Sequence, residues 1–219
     1  MKEYHKIQSI FNRDPNNHFK TFLEDQYSTP EIRYLAENRW VATEKIDGTN
    51  IRVIWDCETV KFRGKTDRVD IPLFLLTKLN EMFPVELLRE RYPEQPMCLY
   101  GEGFGAKIQK GGGNYISDGV SFILFDVLID GWWLLRNDLD DIARKLDIMV
   151  VPIVFNGITL PHIVAETKKK RINSIFGDFL SEGFVLKPRV GLKTRDGHRI
   201  ITKIKHKDFP HELGLTKGD

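Results

Sequence analysis

The fold of this chain is decided by the segment Glu44-Lys45-Ile46-Asp47-Gly48-Thr49-Asn50, in which a lysine lies between two acids and precedes a glycine. An Asp-Gly pair favours a turn because glycine readily adopts a positive φ, so the simplest interpretation is a hairpin with a surface lysine. A lysine amine becomes a nucleophile only after losing its proton, which neighbouring cations or burial promote. Because several polar groups crowd this short turn, we interpret Lys45 as a candidate nucleophile that forms a covalent intermediate.

The composition is that of an ordinary globular protein. The 219 residues are 41% hydrophobic and 29% charged, with a net charge of +2, so any surface for nucleic acid must be local. The two cysteines and six histidines fit neither a disulfide framework nor a zinc motif. No apolar run approaches the roughly 20 residues that span a membrane, and the N-terminus lacks a signal-peptide pattern. We therefore expect a cytoplasmic protein.

Short strands and a few helices predict an α+β fold. Runs of β-branched and aromatic residues bounded by turn formers predict strands, and periodic apolar residues predict helices. The predicted strands span 40–43, 51–55, 59–62, 97–100, 120–128, 184–187 and 199–204, the last after a turn at 195–198, and the helices span 73–83, 138–148 and 164–179. The basic block 168–171 is interpreted as a solvated helix face, with RNA contact as the less favoured alternative. We find no repeat or linker and expect a single domain, residues 1–219.

The glycine-rich segment 101–106 has the spacing of a dinucleotide-binding fingerprint. We reject that interpretation because the carboxylate of Glu102 would repel a pyrophosphate, and because the segment continues into Lys110-Gly111-Gly112-Gly113 rather than a helix. Glu102 could instead hold a ribose hydroxyl or a hydrated metal ion. A structural hydrogen bond to the neighbouring backbone is an equally good interpretation.

Further candidates lie in the later strands. Phe125 could pack in the core or stack on a nucleic-acid base. Glu182 and Lys187 are five residues apart, which places them on opposite strand faces, so a bulge or a chain end must intervene if both serve one site. Lys203 and Lys205 share a face by the same alternation, an arrangement that favours a bound anion between them.

Taken in order, these motifs resemble the collinear motifs of the covalent nucleotidyltransferase superfamily, which comprises polynucleotide ligases and mRNA capping enzymes. The motifs are Lys45-x-Asp47-Gly48, Glu102-Gly103, Phe125-Asp126, Glu182-Gly183-x-x-x-Lys187 and Lys203-x-Lys205. Segments 40–50 and 105–110 look most like the double-strand-sealing phage RNA ligases and the kinetoplastid RNA-editing ligases, because Glu44 directly precedes the lysine and Thr49-Asn50 follow the glycine. The resemblance implies an ATP-grasp-like ligase adenylation fold, with two antiparallel β-sheets and flanking helices around an ATP cleft.

The resemblance also implies an ATP-dependent RNA ligase that seals 5′-phosphate and 3′-hydroxyl ends through a lysyl–AMP intermediate on Lys45. In this interpretation Glu44 reads the adenine, Phe125 stacks on it and Glu102 holds the ribose. Hydrated Mg²⁺ or Mn²⁺ would bind Glu102 and Glu182, and Glu182 would alternatively orient the lysine amine. The phosphate-neutralising lysines would be Lys187, Lys203 and Lys205, of which the last two act in catalysis together with Lys45, Asp47 and Asn50.

Three departures from the family pattern affect the details. Asp47 stands where the phage ligases often have histidine and where DNA ligases have aspartate. Either Arg63 or Lys65 would contact the nicked strand. The sequence given ends about 14 residues after Lys205, so we expect no C-terminal OB or helical domain.

The expected partner is RNA, as a nicked or splinted duplex, with an accessory RNA-binding protein as a further candidate. A virus-encoded source fits the phage-type resemblance. The alternatives are a minimal ATP-dependent DNA ligase, or a non-catalytic nucleic-acid-binding relic of the fold.

Overall fold

The computed structural model describes residues 3–209, which form an α+β fold with three β-sheets. The strands are β1 (Gln8–Ser9), β2 (Phe11–Arg13), β3 (Phe22–Tyr27), β4 (Trp40–Glu44), β5 (Thr49–Trp55), β6 (Val60–Arg63), β7 (Met97–Gly105), β8 (Val120–Ile129), β9 (Trp132–Trp133), β10 (Met149–Val150), β11 (Ile153–Ile158), β12 (Gly183–Pro188) and β13 (Thr202–Lys205). The helices are α1 (Pro30–Tyr34), α2 (Leu73–Met82), α3 (Val85–Arg91), α4 (Gly112–Tyr115), α5 (Arg136–Leu146) and α6 (Leu160–Lys168), with 3₁₀ turns at Pro15–Asn17 and His206–Asp208. The predicted α+β class is confirmed.

The described residues group into two compact units. The six-stranded unit contains the residues up to Lys6, Ile46–Pro152 and Ile175–Gly177. The five-stranded unit contains Ile7–Lys45, Ile153–Ser174 and the described residues from Asp178 onward. Each has its own hydrophobic core, and the single domain over residues 1–219 stays a prediction. No helix between residues 3 and 209 is long and apolar enough to cross a membrane.

The main sheet of the five-stranded unit has the order β1-β13-β12-β4-β11 and is antiparallel except where β1 runs parallel to β13. Trp40 and Ala42 in β4 alternate into the core, together with Phe184 and Leu186 of β12, and α6 packs on them. Because side chains alternate across a strand, the other face of β12 and β13 carries the lysines. A small hairpin of β2 and β3 completes the unit.

The sheet of the six-stranded unit has the order β10-β8-β7-β5-β6, with β9 paired to β8, and is antiparallel except between β10 and β8. Helices α2 and α5 supply Leu75, Leu79 and Ile142 to the core on one face. β8 contains a bulge, because Tyr100 pairs with Asp126 whereas Gly101 pairs with Leu124. An extra residue in one strand shifts the alternation beyond it, so Phe125 stands unpaired in the ladder and Asp126 lies on the face opposite the core.

Several element predictions require correction. The strand predicted over 97–100 continues to Gly105 as β7, and the segment after it, in which no helix was expected, contains the short helix α4. The helix predicted over 164–179 is α6, which begins at Leu160 and ends at Lys168, because Lys170 adopts a positive φ of 50° and breaks the helical path. The strand predicted over 199–204 begins only at Thr202. The turn before it is present, since the backbone N–H of Thr194 donates to the carbonyl of His198 at 2.7 Å.

Candidate active site

In the five-stranded unit, one carboxylate bridges two lysines. The backbone N–H of Lys45 donates to the carbonyl of Gly183 at 2.9 Å, which fixes the point where the chain leaves β4. The Nζ of Lys45 lies 2.5 Å from Glu182 Oε2, and the Nζ of Lys205 donates to Glu182 Oε1. The side chains are only 22%, 15% and 18% exposed for Lys45, Glu182 and Lys205. The two lysines and the carboxylate therefore form a compact, half-buried cluster, called the lysine–carboxylate cluster below.

Glu182 reaches this cluster because it precedes the strand instead of lying within it. β12 begins at Gly183, whose φ of +148° is in the region that favours glycine. A Cβ on Gly183 would lie 2.1 Å from the carbonyl oxygen of Ile204, so only glycine fits against β13 here. The chain end required by the five-residue spacing of Glu182 and Lys187 is therefore present.

The electrostatics of the cluster keep Glu182 ionised. Burial raises the pKa of the Glu182 carboxyl, but the charges and hydrogen bonds of Lys45 and Lys205 outweigh it, so that pKa lies below its usual value. A carboxylate with a lowered pKa is a poor proton acceptor. Glu182 is therefore suited to holding and orienting the two amines.

Lys187 and Lys203 lie on the same sheet face as the cluster. Lys203 pairs with Val185, Lys187 pairs with Val41, and Lys205 pairs with Gly183, so the three lysines project to one side. Both Lys187 and Lys203 are half-buried. Such a concentration of cationic groups on one face favours an anion such as a polyphosphate.

Glu44 occupies a different environment from the lysines. It belongs to the buried row of β4 that includes Trp40 and Ala42, and it is 1% exposed. Its cross-strand neighbour is Phe184. The resemblance assigns Glu44 to adenine recognition, and that role stays a prediction.

In the six-stranded unit, the predicted residues Asn50 and Glu102 are direct cross-strand neighbours in β5 and β7. The Asn50 Oδ1 atom is buried and has no hydrogen-bond partner among residues 3–209, which marks a place for a ligand donor or cation. The turn that carries Asp47 is held by two residues of the segment after β7, Gln109 and Tyr115. The Asp47 backbone N–H donates to the Tyr115 hydroxyl at 3.2 Å, and Gln109 Nε2 donates to a turn carbonyl at 3.2 Å.

The bulge in β8 places Phe125 and Asp126 in an aromatic cluster. The Tyr4 hydroxyl donates to Asp126 Oδ2 at 2.5 Å, and the Tyr4 ring meets Phe125 edge-on with centroids 5.1 Å apart. Tyr100 and Trp133 complete the cluster. Phe125 is half-buried, and its stacking on adenine stays a prediction. Sequence reasoning missed Tyr4, for which no local pattern gave a signal.

The structure also reveals a buried arginine beneath the predicted RNA-contact residues. Arg52 is fully buried and donates from Nε to the Gly64 carbonyl at 2.9 Å and from Nη2 to Asp67 at 2.5 Å. Arg63 and Lys65 are exposed on either side of Gly64. Arg52 therefore anchors the segment that presents both, and a charged residue inside a predicted strand was the available signal.

A hydrogen-bond network around His206, which sequence reasoning also missed, supports the lysine–carboxylate cluster. His206 Nδ1 donates to the Thr167 carbonyl at 2.8 Å, and its Nε2 lies 3.2 Å from Ser181 Oγ. Burial lowers the pKa of His206, and the Thr167 hydrogen bond only partly offsets this, which favours the neutral ring. Because Ser181 precedes Glu182 and His206 follows Lys205, the imidazole ties together the chain segments that carry the bridged pair.

The oxygen donors of Glu102 and Asn50 suit a divalent cation that keeps most of its bound water. Between residues 3 and 209, no group of three His, Cys, Asp or Glu side chains is placed to hold a metal ion. Magnesium commonly binds with most of its water retained, through one or two carboxylates and substrate phosphates. Glu102, with the unpartnered Asn50 Oδ1 opposite it, offers the hard oxygen donors that such an ion prefers.

Comparisons with known proteins identify the family of this chain and solved structures that share its fold. The family model that describes RNA ligases matches residues 38–205. Three solved structures of the Naegleria gruberi RNA ligase match the fold: a variant with ATP and Mn (TM-score 0.67, 18% identity, 94% of this chain and 56% of that chain), a second variant with ATP and Mn (0.64, 20%, 95% and 64%) and a complex with PPi (0.64, 18%, 94% and 58%). The chain thus spans somewhat over half the length of those proteins. No curated protein sequence matches significantly.

Proposed function

This chain belongs to the RNA ligase family, and from that premise we propose that it is an ATP-dependent RNA ligase that joins 5′-phosphate and 3′-hydroxyl ends. The observation that carries the proposal is the lysine–carboxylate cluster, in which Lys45 is held 2.5 Å from an ionised Glu182. A lysine nucleophile oriented by a carboxylate and surrounded by cations suits attack on a polyphosphate. The ATP and Mn in the Naegleria gruberi structures support the same ligands here.

In the first step, the Nζ of Lys45, having lost a proton, attacks the α-phosphorus of ATP. A phosphorus–nitrogen bond forms, the bond to the bridging oxygen breaks, and pyrophosphate leaves with that electron pair. Glu182 orients the amine. Lys187, Lys203 and Lys205 neutralise the charge on the phosphates, which is the main requirement of phosphoryl-type transfer.

The nucleotide contacts follow the family pattern. Phe125 stacks on the adenine, Glu44 reads its amino edge, and Glu102 holds the ribose. Glu102 and Glu182 each offer a carboxylate to hydrated Mg²⁺ or Mn²⁺, which would add positive charge beside the phosphates. The assignment of Glu102 is supported by its position opposite the unpartnered amide oxygen of Asn50.

In the later steps, AMP passes from Lys45 to the 5′-phosphate of RNA, and the 3′-hydroxyl then displaces AMP to form the phosphodiester. Asp47 and Asn50 act here, and Arg63 or Lys65 contacts the RNA. We propose a nicked or splinted RNA duplex as substrate, in RNA repair in the cytoplasm. An accessory RNA-binding protein would assist in holding it.

The test is transfer of label from α-labelled ATP to the protein. Lys45→Ala and Lys45→Arg should abolish labelling, whereas Lys169→Ala, at an exposed lysine that pairs with Glu166, should leave it unchanged. Labelling that persists in Lys45→Ala would refute the mechanism. Labelled GTP should not substitute for ATP.

The labelled protein also separates the alternatives. Nicked duplexes that carry RNA or DNA on the 3′-hydroxyl side distinguish an RNA ligase from a minimal DNA ligase, since we expect sealing only with RNA. Absence of any labelling in the wild-type protein would favour a non-catalytic nucleic-acid-binding relic of the fold.

A further inference from the structure

The connection between β12 and β13, residues 189–201 and called the basic loop below, is rich in positive charge. It contains four basic residues and one acid, whereas the chain has 33 basic and 31 acidic residues in all. The rest of the chain has 29 basic and 30 acidic residues. The positive charge is therefore local, as the low net charge requires of any surface for nucleic acid.

The basic loop is ordered by its own hydrogen bonds. The backbone N–H of Gly197 donates to the Thr194 carbonyl at 3.0 Å, and that of Ile200 donates to the Leu192 carbonyl at 3.1 Å. The side chains of Leu192 and Ile200 pack against the core of the five-stranded unit. The loop is thus an anchored hairpin, so a ligand would not need to order it on binding.

The one acid of the loop is engaged within the turn. Asp196 accepts a hydrogen bond from the Thr194 hydroxyl, and its carboxylate lies 3.4 Å from His198 Nε2. The Thr194 hydrogen bond lowers the pKa of Asp196. The exposed Arg189 and Arg195 form no ion pair with any residue between 3 and 209. Their guanidinium groups are available to an external anion.

The basic loop continues the cationic face of the sheet. Along β13 the distance from Lys205 to Ile201, where the loop ends, is about 13 Å at about 3.3 Å per residue, and Lys203 lies between them on the same face as Lys205. Only an anion with several phosphates in a row could contact both the lysine–carboxylate cluster and the loop. A nucleic-acid backbone has this repeating charge.

We propose that the basic loop is a binding site for the phosphate backbone of the RNA substrate. The inference rests on the proposed function for the identity of the polymer. Arg189, Lys193 and Arg195 contact phosphates without reading bases, since arginine and lysine contacts to phosphate position a strand without specifying its sequence. The loop holds the RNA a few nucleotides away from the end that receives AMP.

The alternative surface is the block of residues 168–171 at the end of α6. There Lys168 pairs with Glu24, and Lys169 pairs with Glu166. Because those two charges are already offset, Lys168 and Lys169 gain less from a phosphate than Arg189 and Arg195 do. The block therefore supplies a matched control with the same loss of three charges.

The experiment compares Arg189→Gln/Lys193→Gln/Arg195→Gln with Lys168→Gln/Lys169→Gln/Arg171→Gln. The binding of a fluorescein-labelled nicked RNA duplex is measured by anisotropy at several salt concentrations. Each lost phosphate contact lowers the slope of log K against log salt by about 0.7–0.9, so the slope should fall by about 2–3 in the loop variant. The control variant should retain most of the wild-type slope. The rate of self-labelling by ATP should stay within about twofold of wild type in both variants, because neither set of substitutions touches the lysine–carboxylate cluster. A twofold change in rate corresponds to about 0.4 kcal/mol in activation free energy.

Several results would overturn the inference. These are an unchanged slope in the loop variant, an equal loss in the control, or a loss of ATP labelling that matches the loss of RNA binding. Arg195→Gln alone, in the exposed turn, repeats the test if the triple variant does not fold. Failure of the proposed function is seen separately, as absence of ATP labelling in the wild-type protein, because the binding measurement needs no catalysis.

Discussion

Replacing Glu182 by glutamine removes the negative charge that bridges Lys45 and Lys205 while preserving the shape of the side chain. In the wild-type protein its two carboxylate oxygens bind Lys45 at 2.5 Å and Lys205, and the carboxylate is 15% exposed. In Glu182→Gln the two ammonium groups face a neutral amide and repel each other. We expect the folded state to be destabilised at neutral pH.

The size of the expected destabilisation in Glu182→Gln follows from the burial of the lysine–carboxylate cluster. A unit-charge pair at about 4 Å with an effective dielectric of about 20 has a gross energy of about 4 kcal/mol, and breaking a buried pair costs about 3–5 kcal/mol. The lysines retain 22% and 18% exposure, so solvent relieves part of this cost. We expect the free energy of unfolding to fall by about 2–3 kcal/mol.

The pH dependence of this loss identifies its cause. Because the pKa of Glu182 is lowered in the folded state, its contribution is present above the unfolded value of about 4.3 and is lost as the pH falls through the folded value. Urea unfolding at pH 7 should therefore separate wild type from Glu182→Gln, and the difference should shrink at pH values below about 4. Glu166→Gln, which breaks an exposed pair, should have little effect. A difference that is equal at both pH values would refute the electrostatic explanation.

Three further predictions concern packing, hydrogen bonding and titration. Gly101→Ala would place a Cβ 2.1 Å from the ring of Phe122 and should lower the free energy of unfolding by about 2–3 kcal/mol. Gly113→Ala, whose Cβ would have no atom within 4 Å, should leave that free energy unchanged. Equal urea midpoints for the two variants would contradict the packing argument. Tyr4→Phe removes the hydroxyl that donates to Asp126 and should cost about 1–3 kcal/mol, and the loss should be much smaller in an Asp126→Ala background, which has no acceptor for that hydroxyl. Because the pKa of His206 is lowered by burial, protonation favours the unfolded state and wild-type stability should fall as the pH drops below about 6.5; the slope should be flatter in His206→Gln.

Much of the lysine arrangement could be predicted from the sequence because strand alternation is a strict geometric rule. Lys203 and Lys205 were predicted to share a face, and their register with Val185 and Gly183 confirms this. The spacing of Glu182 and Lys187 required a chain end or a bulge, and the start of β12 at Gly183 provides the chain end. The family resemblance, carried by these same residues, is confirmed by the family match.

What could not be predicted depends on contacts between distant residues. The bulge at Phe125 adds one residue to β8 opposite Tyr100 and Gly101, and a period-2 pattern contains no sign of it. Tyr4 meets Asp126 across more than a hundred residues of chain. The end of α6 at Lys168 was not predicted, because apolar residues continue beyond it. The periodic pattern of apolar residues also gives no sign of the positive φ at Lys170.

The backbone bonds around the lysine–carboxylate cluster have a consequence for its dynamics. The amide of Lys45 donates to the Gly183 carbonyl, and the amide of His206 donates to the adjacent carbonyl of Glu182. Both amides can exchange with deuterium only when this part of the main sheet of the five-stranded unit opens, so they should exchange at similar rates, as members of one cooperative unit. The nucleophile would then be lost on heating together with its sheet, without a separate phase of inactivation.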